Sequence, residues 1–150
     1  MESFESRIDG LVERCERLDY VTDTTGTLMA VSQGKWLPGF DDVVKEIMAL
    51  RGAGALYVMC NVLPAGTSVP THRDWLPGKR CLERWHLVVK NNDYCSWWDK
   101  ANGVVGMMAS RWYGPCPYWL EHRVSNLGST DRIHLIVDLD IDVEGARYEH

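Results

Sequence analysis

Arg132-Ile133-His134-Leu135-Ile136-Val137-Asp138 alternates polar and apolar residues. In an extended chain successive side chains point to opposite faces, so Ile133, Leu135 and Val137 lie opposite Arg132 and His134. Arg84-Trp85-His86-Leu87-Val88-Val89 follows the same rule, with Arg84, His86 and Val88 on one face. Both runs predict strands with a polar row on one side. Working outward, Leu56-Tyr57-Val58-Met59-Cys60 and the stretches 69–75, 82–90, 94–98, 103–109, 120–126 and 131–141 are strand candidates. Clusters of Gly, Pro, Asn and Asp separate them at short spacing, as in an antiparallel sandwich or barrel.

The first third of the chain reads differently. Phe4, Ile8, Leu11, Val12, Cys15 and Leu18 recur at three- and four-residue steps, the pattern of an amphipathic helix. A short strand is expected at 27–32 and a second helix at 41–50. Asp41 or Asp42 would cap that helix, and Gly52 suits its left-handed end. Helices followed by seven or so strands predict an α+β, mainly β fold with the helices packed on the β-core. The jelly roll of cupins, a double-stranded β-helix, fits best. At 150 residues the chain is expected to form one domain, with a helical part at about 1–52 and the β-core at about 55–141.

Composition narrows the function classes. The net charge is -5 and the basic residues are scattered, which argues against a nucleic-acid partner held by phosphate neutralisation. Cys15, Cys60, Cys81, Cys95 and Cys116 form an odd set without C-x-x-C spacing, as expected of free thiols in a reducing compartment. The first residues are acidic and polar, unlike a signal peptide, and no run approaches the ~20 apolar residues of a membrane span. The expected setting is therefore cytoplasmic, away from the membrane.

His72-Arg73-Asp74, with His122 much later, carries the chemistry. An extended chain points residues i and i+2 to one side, so His72 and Asp74 can reach one ion, and His122 would close the site through the fold. Two His and one carboxylate with open positions suit a non-heme Fe(II) oxygenase. Arg132 stands ten residues beyond His122, and its planar fork can pair with a carboxylate in two hydrogen bonds. Each residue also has a plainer reading. His86 could be a strand histidine on a backbone carbonyl, and Arg132 could pair structurally with Asp138. His134 shares Arg132's face but suggests no role. Trp75, beside Asp74, is the one of seven Trp placed near a substrate.

The ordered set Pro64-Ala65-Gly66, His72-Arg73-Asp74, Arg84-Trp85-His86-Leu87, His122 and Arg132-Ile133-His134-Leu135-Ile136-Val137-Asp138 resembles the aspartyl/asparaginyl β-hydroxylase family. Those are Fe(II)- and 2-oxoglutarate-dependent oxygenases on a double-stranded β-helix, and the resemblance covers roughly residues 57–140. It implies iron ligands at His72, Asp74 and His122, and Arg132 as the anchor for the distal carboxylate of 2-oxoglutarate. It further implies Arg84 and His86 as a pair holding cosubstrate or substrate carboxylate, and Asn61 as a polar residue touching the cosubstrate. The stretch 75–80 is longer than in the family, and its Arg80 is a candidate for a substrate carboxylate.

The expected activity is hydroxylation of an amino-acid-like substrate, in a peptide or free, with dioxygen and 2-oxoglutarate consumed. Two rivals stay open: a jelly-roll binding protein without turnover, and a cupin metalloenzyme that does not use 2-oxoglutarate. Only a keto-acid cosubstrate requires Arg132. Whether the 75–80 or the 111–119 loop acts as a lid is likewise open.

Overall fold

Alternate residues along the central strands meet two different environments, and that division organises the molecule. The computed structural model describes residues 1–24, 26–30, 36–74 and 81–143. The elements are β1 (Glu2–Glu5), α1 (Leu11–Glu16), β2 (Val21–Thr22), β3 (Leu28–Ala30), α2 (Asp41–Arg51), β4 (Ala55–Leu63), β5 (Thr67–His72), β6 (Leu82–Lys90), β7 (Cys95–Asp99), β8 (Gly103–Val105), β9 (Arg111–Gly114), β10 (His122–Asn126) and β11 (Arg132–Asp142). A seven-stranded sheet runs β1-β9-β6-β11-β4-β3-β2, and a four-stranded sheet runs β5-β10-β7-β8. From β4 onward the chain passes back and forth between the two sheets. This is the expected double-stranded β-helix.

On one face of the large sheet, Ile133, Leu135, Val137 and Leu139 of β11 join Val58, Cys60 and Val62 of β4 and Trp85, Leu87 and Val89 of β6. They pack on Leu11 and Cys15 of α1 and on Val43, Val44 and Ile47 of α2. Full burial of such a side chain contributes about 1.5–3 kcal/mol, so the helices seal the sheet by apolar contact. Arg51 of α2 adds a directed tie, bonding Glu83 at 2.6 Å, while Trp85 Nε1 donates to the same carboxylate at 2.7 Å. The opposite face carries buried Arg84, His86, Arg132, His134 and Asp138. It looks toward the small sheet: His86 meets the Trp97 ring of β7 edge-on, with centroids 5.2 Å apart.

Several expectations shift. The helix foreseen from Phe4 is instead β1 followed by a short α1. Phe4 pairs across from Trp112 of β9 and lies 5.4 Å from the Trp85 ring. Three- and four-residue spacing suits a helix, but the open edge of β9 offers β1 backbone partners, and Gly10 turns the chain at φ 72. Thus the segment 1–52 contributes three strands to the large sheet besides its helices. Helix α2 ends as expected on Gly52 at φ 69. Its N-cap is Phe40, without a side-chain cap, because Asp41 and Asp42 sit inside the first turn, where negative charge favours the helix dipole.

Residues 111–114, read as loop, form β9. Gly114 is required there because a Cβ would stand 2.5 Å from the Trp85 ring. Strand β5 ends at His72, short of the predicted 75, and β8 ends at Val105. Strand β3 covers Leu28–Ala30, Thr27 precedes it outside the strand, and residues 31–32 of the predicted 27–32 lie outside the described residues. Among the described residues no helix is long and apolar enough to cross a membrane. The five cysteines are free thiols.

Candidate metal centre and the polar pocket beside it

Register brings the first two candidate ligands together. Strands β5 and β10 pair antiparallel with His122 opposite His72, and their ring centroids stand 4.3 Å apart. Asp74 lies two residues past the end of β5, where its N–H donates to the Tyr118 carbonyl at 2.9 Å. Its carboxylate lies between the imidazoles, Oδ1 at 3.3 Å from His72 Nε2 and Oδ2 at 3.3 Å from His122 Nε2. The ligand atoms of the three side chains lie within 4.8 Å of one another, and together they could hold a metal ion.

The ring orientations fit that use. His72 Nδ1 is 2.7 Å from the Pro70 carbonyl and His122 Nδ1 is 2.9 Å from the Leu120 carbonyl. A carbonyl only accepts, so each Nδ1 carries a proton, and each ring turns its Nε2 toward Asp74. Bonds of this kind set the tautomer of metal-binding histidines. The electrostatics agree. Asp74 raises the pKa of His72 above the usual imidazole value, chiefly through their direct contact. Burial pushes Asp74 up, but His122, His72 and the Arg84 charge outweigh it and hold the carboxyl well below the usual range. A positive charge is what the trio stabilises.

The site continues inward from His122. Its ring stacks on Trp97 with centroids 5.5 Å apart, and Asp99 fixes Trp97 by accepting from Nε1 at 2.8 Å. Beyond Trp97 lies His86, whose Nδ1 is 3.0 Å from His134 Nδ1. Arg132 donates to that same His134 nitrogen from Nη2 at 3.1 Å. His134 Nδ1 is therefore an acceptor, its proton sits on Nε2, and His86 donates from Nδ1. Burial and then the Arg132 charge hold both imidazoles well below their ordinary pKa, so both are neutral.

This pocket is short of partners. His134 Nε2 and Asn61 Oδ1 are buried without one among the described residues, and Asn61 stands opposite His134 in the β4–β11 ladder. Arg132 is 6% exposed, and burial brings its pKa down to about 10. Among the described residues no carboxylate pairs with it. A buried guanidinium without a counter-charge is costly, and a carboxylate ligand would supply what it lacks.

Arg84 is placed differently from Arg132. Its fork closes on Asp138, with Nε to Oδ1 at 2.7 Å and Nη2 to Oδ2 at 2.9 Å, while Nη1 reaches Asp74 Oδ2 at 3.3 Å. The structural pair considered for Arg132 with Asp138 is thus absent, since Asp138 belongs to Arg84. The structure gathers His72, Asp74 and His122 in one group and Asn61, His86 and Arg132 in the adjoining pocket. Trp75 and Arg80 lie outside the described residues. His134 was passed over in sequence, although its parity with Arg132 was visible. Trp97 and Tyr118 gave no local signal.

The chain matches the Aspartyl/Asparaginyl beta-hydroxylase family over residues 29–141. No curated protein matches it. Among solved structures it is similar to a Pseudomonas putida prolyl-4-hydroxylase, at TM-score 0.64 and 13% identity over 99% of this chain and 92% of that one. It is also similar to an oxidoreductase of the 2OG-Fe(II) oxygenase family from Burkholderia pseudomallei, at TM-score 0.59 and 12% identity over 92% and 82%. A chain from the Rhodobacter sphaeroides complex of SigE with the anti-sigma ChrR is similar at TM-score 0.50 and 20% identity over 87% of this chain, which spans only 54% of that one. At such identities the likeness is one of fold.

Proposed function

Because the chain belongs to the aspartyl/asparaginyl β-hydroxylase family, we propose that it is an Fe(II)- and 2-oxoglutarate-dependent hydroxylase acting on an amino-acid-like substrate, peptidyl or free. His72, Asp74 and His122 would hold the iron, since two neutral imidazoles and a carboxylate suit that ion and leave positions open. Arg132 would pair with the distal carboxylate of 2-oxoglutarate, with Asn61, His86 and His134 as the polar lining around it. When bound, iron and keto acid supply the oxidation: dioxygen converts 2-oxoglutarate to succinate and carbon dioxide and leaves one oxygen atom on a substrate carbon. The chain's own residues orient and shield. The carbonyls of Pro70 and Leu120 keep the ligand rings turned inward. Trp97 packs between the metal group and the pocket, excluding water from that side. The free thiols fit a reducing, cytoplasmic setting.

The observation that carries this reading is the buried Arg132 guanidinium, which has no carboxylate partner among the described residues and is joined through His134, His86 and Trp97 to the His72–Asp74–His122 group. A metal site alone would not need it. Anaerobic titration of the protein with Fe(II) and then 2-oxoglutarate tests metal and cosubstrate together. The weak visible charge-transfer band of the chelate is expected. A protein that binds Fe(II) but develops no band with 2-oxoglutarate would overturn the cosubstrate assignment and favour a metalloprotein of another kind.

A further inference from the structure

We propose that Arg84 is a positioning residue that aims the Asp74 carboxylate at the metal, with Asp138 as its built-in counter-charge. The inference rests on the reading of Asp74 as a metal ligand. Three observations carry it. First, the fork is already taken. Asp138 is 0% exposed and directly opposite Arg84 in the β6–β11 ladder, and it accepts from both Nε and Nη2. A bidentate Arg–carboxylate pair is the strong form of this contact, and it fixes the plane of the guanidinium. Arg132, by contrast, keeps its whole charge for a ligand.

Second, the remaining arm goes to Asp74, with Nη1 at 3.3 Å from Oδ2. Asp74 needs such a hold. It lies beyond the end of β5, outside the ladder, and its side chain is 39% exposed. Third, one aromatic residue fixes both partners. The Arg84 guanidinium carbon lies 4.1 Å from the centroid of the Tyr118 ring, and the Tyr118 carbonyl accepts from the Asp74 N–H at 2.9 Å. Tyr118 is itself pinned, its hydroxyl accepting from the Leu82 N–H at 2.7 Å. Asp138, Arg84 and Asp74 thus form a rigid line from the middle of β11 to the metal group, and Oδ1 carries no guanidinium.

The test uses Co(II) alone as probe, followed by 2-oxoglutarate titrated into Mn(II)-saturated protein. In the double variant Arg84→Leu/Asp138→Leu both charges go together, which buried pairs often tolerate. Removing an outer partner of a metal ligand typically costs about 10–100-fold in metal affinity. That loss is expected here, with a changed Co(II) ligand-field spectrum. Arg84→Lys keeps a charge but not the fork. It provides the second arm, since it leaves no bare carboxylate in the core, and the same direction with a smaller loss is expected. Variants that bind Co(II) with wild-type affinity and spectrum would overturn the inference alone. So would variants whose loss falls on 2-oxoglutarate and spares the metal. Wild-type protein that binds no Co(II) would overturn the metal reading and this inference with it.

Discussion

His72 and His122 face each other across adjacent antiparallel strands, and each turns its Nδ1 to the carbonyl two residues before it. The two rings are thereby set in the same way by two unrelated stretches of chain, and their Nε2 atoms converge on Asp74. The following outcomes are expected from that arrangement and from the pocket beside it.

His72→Ala or His122→Ala should abolish Fe(II) binding. The one imidazole and one carboxylate that remain would leave four of six positions to solvent, and a single nitrogen ligand does not hold a labile divalent ion there. Elemental analysis after anaerobic loading checks this, and unchanged iron content in either folded variant would remove the triad.

Asp74→Gly should keep part of the metal affinity and lose turnover. Both imidazoles stay in place, held by their own carbonyls, while the negative charge that balances the ion is gone. Succinate formation is the readout, and wild-type turnover would show that the carboxylate is not needed.

Arg132→Leu should raise the Kd for 2-oxoglutarate roughly 30-fold or more, since truncating one partner of a buried charge pair costs about 2–5 kcal/mol. Metal affinity should hardly change, because Arg132 does not touch the metal group. Arg132→Lys should recover part of the loss, keeping the charge without the fork. Calorimetric titration of the Mn(II)-loaded proteins decides it.

Metal-free protein should lose stability as pH falls below about 6.5, the imidazole value of the unfolded chain. His86 and His134 stay neutral in the fold because burial and Arg132 hold them well below that value. Below 6.5 the unfolded chain then binds two protons that the folded chain refuses, a slope of up to about 2.7 kcal/mol per pH unit. His72 works in the other direction. Its raised pKa gives stability that is complete below 6.5 and is lost as pH rises through its folded value, so it does not offset the acid loss. Urea denaturation between pH 5 and 8 measures the slope, and His134→Asn should roughly halve it.

Gly114→Ala should lower stability by about 1–3 kcal/mol, the usual cost of forcing extra volume into a packed core. The added Cβ would stand 2.5 Å from the Trp85 ring, which cannot yield freely because Glu83 holds its Nε1 and Phe4 lies against it. A melting curve with wild-type Tm would show that the ring has room to move.

Much of this protein was legible in one dimension. The alternation in 84–89 and 132–138 marked the central strands and separated their apolar from their polar rows, because side chains in a strand repeat every two residues. The same rule tied His72 to Asp74, and Gly52 marked the end of α2. At the first segment the residue spacing alone misled: a stripe at helical intervals also fits an edge strand, a turn and a short helix, and the free edge of β9 decided between them.

The sequence thus determined which donor types the chain owns and which face of each strand carries them. It did not determine who meets whom. Arg132 and Asp138 share a face of β11 but stand six residues apart, about 20 Å along a strand, too far for an ion pair. The register of β6 against β11 hands Asp138 to Arg84 instead, and Arg132 is left without a carboxylate partner among the described residues. Likewise the pairing of β10 with β5 sets His122 on His72, and the approach of the two sheets puts Trp97 between His122 and His86. Register and sheet packing are set by contacts between residues far apart in the chain, so no local stretch encodes them, and the tertiary structure alone assigns the partners.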